Sequence, residues 1–300
     1  MSANLSASVL ARLLMLAKQR GDDYSLLLNR FALERLLLRI SISPHADRFL
    51  LKGALLFTLW YDDAHRPTRD ADLLGFGAAD EANLIATFRD IAALDLADGI
   101  VFDPESVQAD AIREDNSYGG TRIRLGARIG SARCALQVDV GFGDAVTPEP
   151  QIVSYPTLLK DFQGPTLRVY PVYTVIAEKY QAMVALGQAN SRMKDFYDLA
   201  VIARRTELDG ATVATAIAAT FSRRQTPLPT EHPLALTRQF GEDPAKLKQW
   251  QAFLNKNRVA AGSLVETLAL LNLLLWPPTE AAAANIRTTN TWCPESLSWV

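Results

Sequence analysis

Cysteine is almost missing from this 300-residue chain: Cys134 and Cys293 cannot build a disulfide framework, and no Cys/His spacing matches a zinc site. Histidine is nearly as scarce, and His45, His65 and His232 are too scattered to form a catalytic triad or a metal cluster, so His65 reads as a loop residue. No apolar run is long enough to span a bilayer. The longest, residues 264–276, is interrupted by Glu266 and Asn272 and suits a buried helix. The N-terminus lacks the charged start and small-residue cleavage site of a signal peptide, which predicts a cytoplasmic protein with no membrane partner. A surplus of charge is absent too. With a formal net charge of −2, the molecule exerts no global pull on nucleic acid, and a polyanion must be gripped by a local patch.

What remains is an ordinary globular composition, 49% apolar and 21% charged, in a length that suits one large domain or two modest ones. Apolar residues recur at the helical period through the first forty positions, with Gly21-Asp22-Asp23 as a break. Arg48-Phe49-Leu50-Leu51 then reads as a strand running through Lys52-Gly53-Ala54 into a helix of about two turns that reaches Tyr61. After a polar loop, Asp70-Ala71-Asp72-Leu73-Leu74 alternates as a strand does. Residues 79–97 return to helical spacing, and residues 99–103, 107–112, 121–125 and 134–140 predict an antiparallel meander with glycine turns. From residue 172 the pattern is helical, over 175–186, 195–205, 210–221, 243–255 and 264–274. Residues 148–173, with five prolines, read as a linker. The expected architecture is α+β. A mixed β-sheet domain with flanking helices occupies residues 1–155, and a helical domain, residues 156–300, completes the active-site cleft.

Three constellations carry chemistry. In Arg66-x-Thr68-Arg69-Asp70-x-Asp72-Leu73, side chains two apart on a strand share a face, so Asp70 and Asp72 pair their carboxylates as a clamp for a hard cation such as Mg2+. A solvated surface pair is the plain alternative. In Lys52-Gly53-Ala54, a glycine where strand turns to helix leaves backbone N–H groups for phosphate oxygens, or else serves only the turn. Downstream, Glu178-Lys179 and Arg192-x-Lys194-Asp195-x-x-Asp198 place Lys179 on an apolar helix, where a lysine needs a partner, and Lys194 four residues from Asp198, where an ordinary salt bridge is the alternative. Tyr118 to Arg122 reads as a solvated turn, with Arg122 or Arg124 able to add positive charge along the sheet.

In this order and spacing, over about residues 30–205, the set resembles the AbiEii/AbiGii toxin family, minimal nucleotidyltransferases of the DNA polymerase β superfamily that include the MenT-type toxins. The resemblance implies a metal pair at Asp70 and Asp72, a third, base-like carboxylate at Asp139, and catalytic roles for Lys179 and Asp198. It implies nucleotide contacts from Lys52, Gly53, Ala54, Arg66, Thr68, Arg69 and Lys194. It further implies Mg2+ (or Mn2+), an NTP substrate, an RNA acceptor such as the 3′ end of tRNA, and a cognate antitoxin that forms no stable complex with the chain, as in a type IV toxin–antitoxin pair. One departure stands out: the superfamily carries serine or threonine soon after the glycine, and this chain has Ala54-Leu55. A nucleotide-binding regulator that catalyses weakly, or a phosphohydrolase or glycosyltransferase using the Asp-x-Asp pair, are the rival readings.

Overall fold

The computed structural model describes residues 2–61, 66–112 and 119–300, so His65 and Tyr118 lie outside the described residues. The chain divides into two compact units, Met1–Gly143 with Gln151–Tyr170, and Asp144–Pro150 with Pro171–Val300.

The first unit opens with α1 (Ser2–Arg20) and α2 (Tyr24–Ile42). Asp23 stops one and starts the other, its carboxylate accepting from the Leu26 N–H as an N-cap. Then follow β1 (Phe49–Lys52), α3 (Leu55–Tyr61), β2 (Asp70–Gly75), α4 (Glu81–Ala92), β3 (Val101–Ile112), β4 (Gly120–Ile129), β5 (Ala132–Phe142), β6 (Gln151–Ser154) and β7 (Thr166–Val169). They form a seven-stranded mixed sheet in the order β3-β4-β5-β2-β1-β7-β6, with β2 parallel to β5 and antiparallel to β1. The antiparallel meander is β3-β4-β5. Its first two expected segments are one strand, bulged between Asp103 and Gln108. One sheet face is apolar: Ile123, Leu125, Leu136 and Val138 are buried under the helices, as are Ala71 and Leu73 of β2. Within α2, buried Arg39 and Glu34 find partners. Arg39 forks onto Asp98 at 2.9 Å through both Nη atoms, and Glu34 accepts from the Leu158 N–H at 2.7 Å.

The proline-rich stretch expected as a linker is instead partly sheet. β6 pairs antiparallel with β7, and β7 adds parallel to β1. Its prolines fall outside the ladder, Pro150 and Pro165 each standing immediately before a strand, where no N–H is required.

The second unit is built from α5 (Val172–Leu186), α6 (Met193–Arg205), α7 (Gly210–Arg223), α8 (Arg238–Glu242), α9 (Pro244–Asn257) and α10 (Leu264–Ala284). A small sheet not expected from the sequence joins β8 (Leu208–Asp209), β9 (Thr291–Cys293) and β10 (Ser298–Trp299). It is pinned by Trp292, fully buried, whose indole N–H donates to the Ala203 carbonyl at 2.7 Å. α10 begins with a capping box of Ser263 and Glu266 and runs through Pro277 and Pro278, ten residues beyond its expected end at 274. Pro277 removes the N–H that would bond the Leu273 carbonyl, and the Trp299 indole donates to that carbonyl at 3.0 Å instead. Among the described residues no helix is long and apolar enough to cross a membrane.

Candidate active site

Alternate residues of a strand point to opposite faces, so the face of the first unit's sheet turned away from its apolar core carries its polar side chains. Register fixes which of them meet. Lys52 of β1 lies opposite Asp72 of β2, Asp72 beside Asp139 of β5, Asp139 opposite Arg122 of β4, and Arg122 opposite Asp110 of β3. One step back along β2, Asp70 lies beside Gln137, which faces Arg124. Strands are spaced by about 4.8 Å, and Asp70 and Asp72 are about 6.6 Å apart along their own strand. Three carboxylates expected as a group thus share one face of three-residue breadth.

Each is held differently. Thr68, just before the strand, donates its hydroxyl to Asp70 Oδ1 at 2.6 Å, so this residue orients a carboxylate. Asp72 stands against the strand-to-helix turn at Gly53, whose φ of +76° favours glycine; a Cβ there would lie 1.9 Å from Asp72 Oδ2. The glycine is therefore needed for conformation and for room. Asp139 is forked by Arg122, with Nε at 2.9 Å and Nη2 at 2.8 Å, and receives Gln137 Nε2 at 3.2 Å. That hydrogen bond is the first cause of the Arg122 guanidinium's pKa being raised above its usual value. Among the described residues no three His, Cys, Asp or Glu side chains converge as a metal-binding group. The donor chemistry of Asp70 and Asp72, two carboxylates on one face of β2, fits a hard divalent cation.

Around these acids, Lys52 Nζ lies 5.6 Å from the centre of the Tyr170 ring. Ala54 leads into α3, which at seven residues is too short to add much of a dipole. Arg66 is half-buried and Arg69 exposed on the approach to β2. Asp70, Arg69 and Gln137 also line a cleft of about 340 Å³ with Ser25, Leu28, Asn29, Arg133, Cys134 and Ala135.

The second unit holds a separate cluster. Lys179 of α5 donates to Asp195 at 2.6 Å and to Asp198 at 2.8 Å, both on α6 and both essentially unexposed, and Arg192 Nε adds 2.8 Å to Asp195. Burial pushes the Asp195 carboxyl up, but the charges of Lys179 and Arg192 outweigh it and hold the group below the usual carboxylate range. The Lys194–Asp198 salt bridge weighed as the plain alternative does not form. The burial boundary of α6 runs between them, so Lys194 is exposed and Asp198, inside, takes the interior ammonium of Lys179. Alongside, Arg224 joins Asp144 at 2.8 Å and Glu178 at 3.4 Å.

Arg122, Arg133 and Asp195 are the residues that sequence reasoning did not place in a site. Asp195 had a local signal, since it stands three before Asp198 and so shares its helix face. Arg122 had only the weak signal of a cation after a glycine turn, because its fork on Asp139 depends on the register of β4 against β5, and Arg133 had none.

Among curated proteins none matches the sequence. A crystal structure of JHP933 from Helicobacter pylori is similar with a TM-score of 0.50 at 15% identity, over 88% of this chain and 95% of that one. A second H. pylori structure, described as a candidate nucleotidyltransferase, gives 0.49 at 15% identity over 87% and 98%. At such identity the likeness to JHP933 speaks for the fold alone, an α+β arrangement with a mixed sheet. The sequence itself carries more: the profile of the nucleotidyl transferase AbiEii toxin family, of type IV toxin–antitoxin systems, matches residues 35–281. That span takes in the Asp70–Asp72 strand, the Gly53 turn and the Lys179 cluster alike, and this chain is a nucleotidyltransferase belonging to the AbiEii toxin family.

Proposed function

We propose that the protein transfers the NMP moiety of an NTP to the 3′ end of an RNA, with tRNA as the acceptor, and that Asp70 and Asp72 hold the divalent cation this requires. The observation that carries the reading is the pair of same-face carboxylates with a glycine turn pressed against the second of them. Mg2+ or Mn2+ bound there would neutralise charge on the triphosphate as the acceptor hydroxyl attacks the α-phosphorus and the bond to pyrophosphate breaks. Thr68 keeps Asp70 aimed, and the turn of Gly53 and Ala54 offers backbone N–H groups to the phosphates in place of the missing hydroxyl. Asp139 takes the proton of the attacking hydroxyl once Arg122 withdraws, and Arg122 then provides a cation beside the reacting phosphate. Within the second unit, Asp195 and Asp198 fix the ammonium of Lys179. Lys52 and Arg66 of the first unit add positive charge to nucleotide binding. The setting is the cytoplasm, with growth arrest relieved by a cognate antitoxin that makes no lasting complex.

The test is to incubate purified protein and Mg2+ with each α-labelled NTP and total tRNA. Labelled tRNA is expected with wild type, and a fall of about 100-fold or more with Asp70→Ala. Equal labelling by the two proteins, or none by wild type, overturns the reading.

A further inference from the structure

β2 starts later than its parallel neighbour. Asp70, its first residue, is paired with Gln137, so Ala132 to Leu136 of β5 run on without a partner in β2. The gap is the cleft described above, walled on the far side by Ser25, Leu28 and Asn29 of α2. Asn29 closes it by donating Nδ2 to the Ala135 carbonyl at 3.2 Å. Its Oδ1 is buried and receives no donor, which suits a ligand that brings hydroxyl groups as well as charge.

The arginines of this face fall into two kinds. Arg122 and Arg124 are neutralised by Asp139 and Asp110. Arg69 and Arg133, both exposed and both lining the notch, have no hydrogen bond or ion pair among the described residues. The charge of Arg69 reaches Asp23, just before α2. Arg133 also stands opposite Arg128 on β4, a like-charge pair that costs stability unless an anion lies across it. Ala135 faces Gly126 between that pair and Gln137, so the floor carries no bulky side chain.

Position then says which anion. In-line displacement places the attacking and leaving oxygens on opposite sides of the phosphorus. In the proposed reading, where the turn of Gly53 and Ala54 takes the triphosphate, pyrophosphate departs on the Gly53 side of Asp72. The incoming hydroxyl arrives past Asp70, and the notch opens there, reaching Arg133 about 13 Å along β5 from Gln137. We infer that the notch between α2 and the overhanging start of β5 seats the phosphates of the acceptor RNA strand, gripped by Arg69 and Arg133. This rests on the nucleotidyl-transfer reading for its polarity, but strand binding is measurable without chemistry.

The experiment uses the full chain and a fluorescent single-stranded RNA with a free 3′ hydroxyl, read by anisotropy and, separately, by label transfer. Arg133→Ala is expected to weaken RNA binding and to raise KM for RNA by about 10- to 100-fold, with KM for NTP unchanged, and Arg69→Ala, at a position where the family resemblance implies a nucleotide contact, to weaken RNA binding likewise. Each is also expected to reduce the slope of log K against log salt by about 0.7. Arg133→Lys recovers most of the slope, and Arg238→Ala, an exposed arginine of the second unit, alters nothing. RNA binding that is unaffected by either notch variant, or absent from wild type, overturns the inference, as does an equal rise in KM for NTP with Arg133→Ala. Arginine-dependent RNA binding by a wild type that transfers no label upholds the notch and defeats the catalytic reading.

Discussion

At position 53 the missing side chain is what lets a carboxylate lie against the turn. Gly53→Ala meets two penalties, a left-handed φ and a Cβ 1.9 Å from Asp72 Oδ2. The first costs about 1–2 kcal/mol, readable as a lowered Tm. The second drives the Asp72 carboxylate off its position, so transfer is expected to fall about 100-fold or more, well beyond what the loss of stability explains. A Gly53→Ala protein that keeps full activity would separate the turn from the chemistry. Gly53, Asp70 and Asp72 were legible in the sequence because the geometry that joins them is local: two residues along one strand, and one tight turn. The fork of Arg122 on Asp139 was not. It depends on the pairing of β4 with β5, and the closeness of Asp139 to Asp72 depends on a parallel pairing whose partners lie far apart in the chain.

Between elements, Lys179 is the tie of α5 to α6. Lys179→Ala takes the buried ammonium from Asp198 and leaves Asp195 with Arg192 alone, and a loss of about 3–5 kcal/mol is expected in urea unfolding. The acid limb supplies a second readout. The Asp195 carboxyl is held below its ordinary range in the folded protein. Its stabilisation is therefore fully present above the unfolded-state pKa, about 3.9, and is lost as pH falls through the lower folded value. Removing Lys179 should shift acid unfolding to higher pH; an unmoved acid midpoint would mean that the pair does not hold α5 to α6. Long amphipathic helices such as α5, α6 and α7 were readable from their period, since burying one stripe is what stabilises them. β6 and β7 were hidden by their flanking prolines, and the last turns of α10 by Pro277 and Pro278. In α10, the Trp299 indole serves the carbonyl that Pro277 leaves without a donor, a contact from a part of the chain no local window includes.

Across the whole molecule the charge is nearly balanced, and function rests on where opposite charges are kept apart. The cores of both units are apolar or internally paired, and the proposed cation site lies on the polar face of a sheet whose other face is buried. Chelation with EDTA is accordingly expected to abolish label transfer and to leave Tm within about 1–2 °C of the untreated protein, because the fold does not rest on the ion as a zinc-organised domain does. Collapse of the fold on chelation would point to a structural metal. Restoration by Mg2+ or Mn2+, and not by Ca2+, is the expected pattern for a site built from two carboxylates that must also orient a triphosphate. The strand order has its own consequence. β2 lies in mid-sheet, and its two neighbours are made before and long after it, β1 at the start and β5 only as far as Phe142. A nascent chain leaving the ribosome therefore carries Asp70 and Asp72 on an edge without its β5 partner until nearly half the polypeptide has emerged, so a product truncated before β5 is expected to show no label transfer.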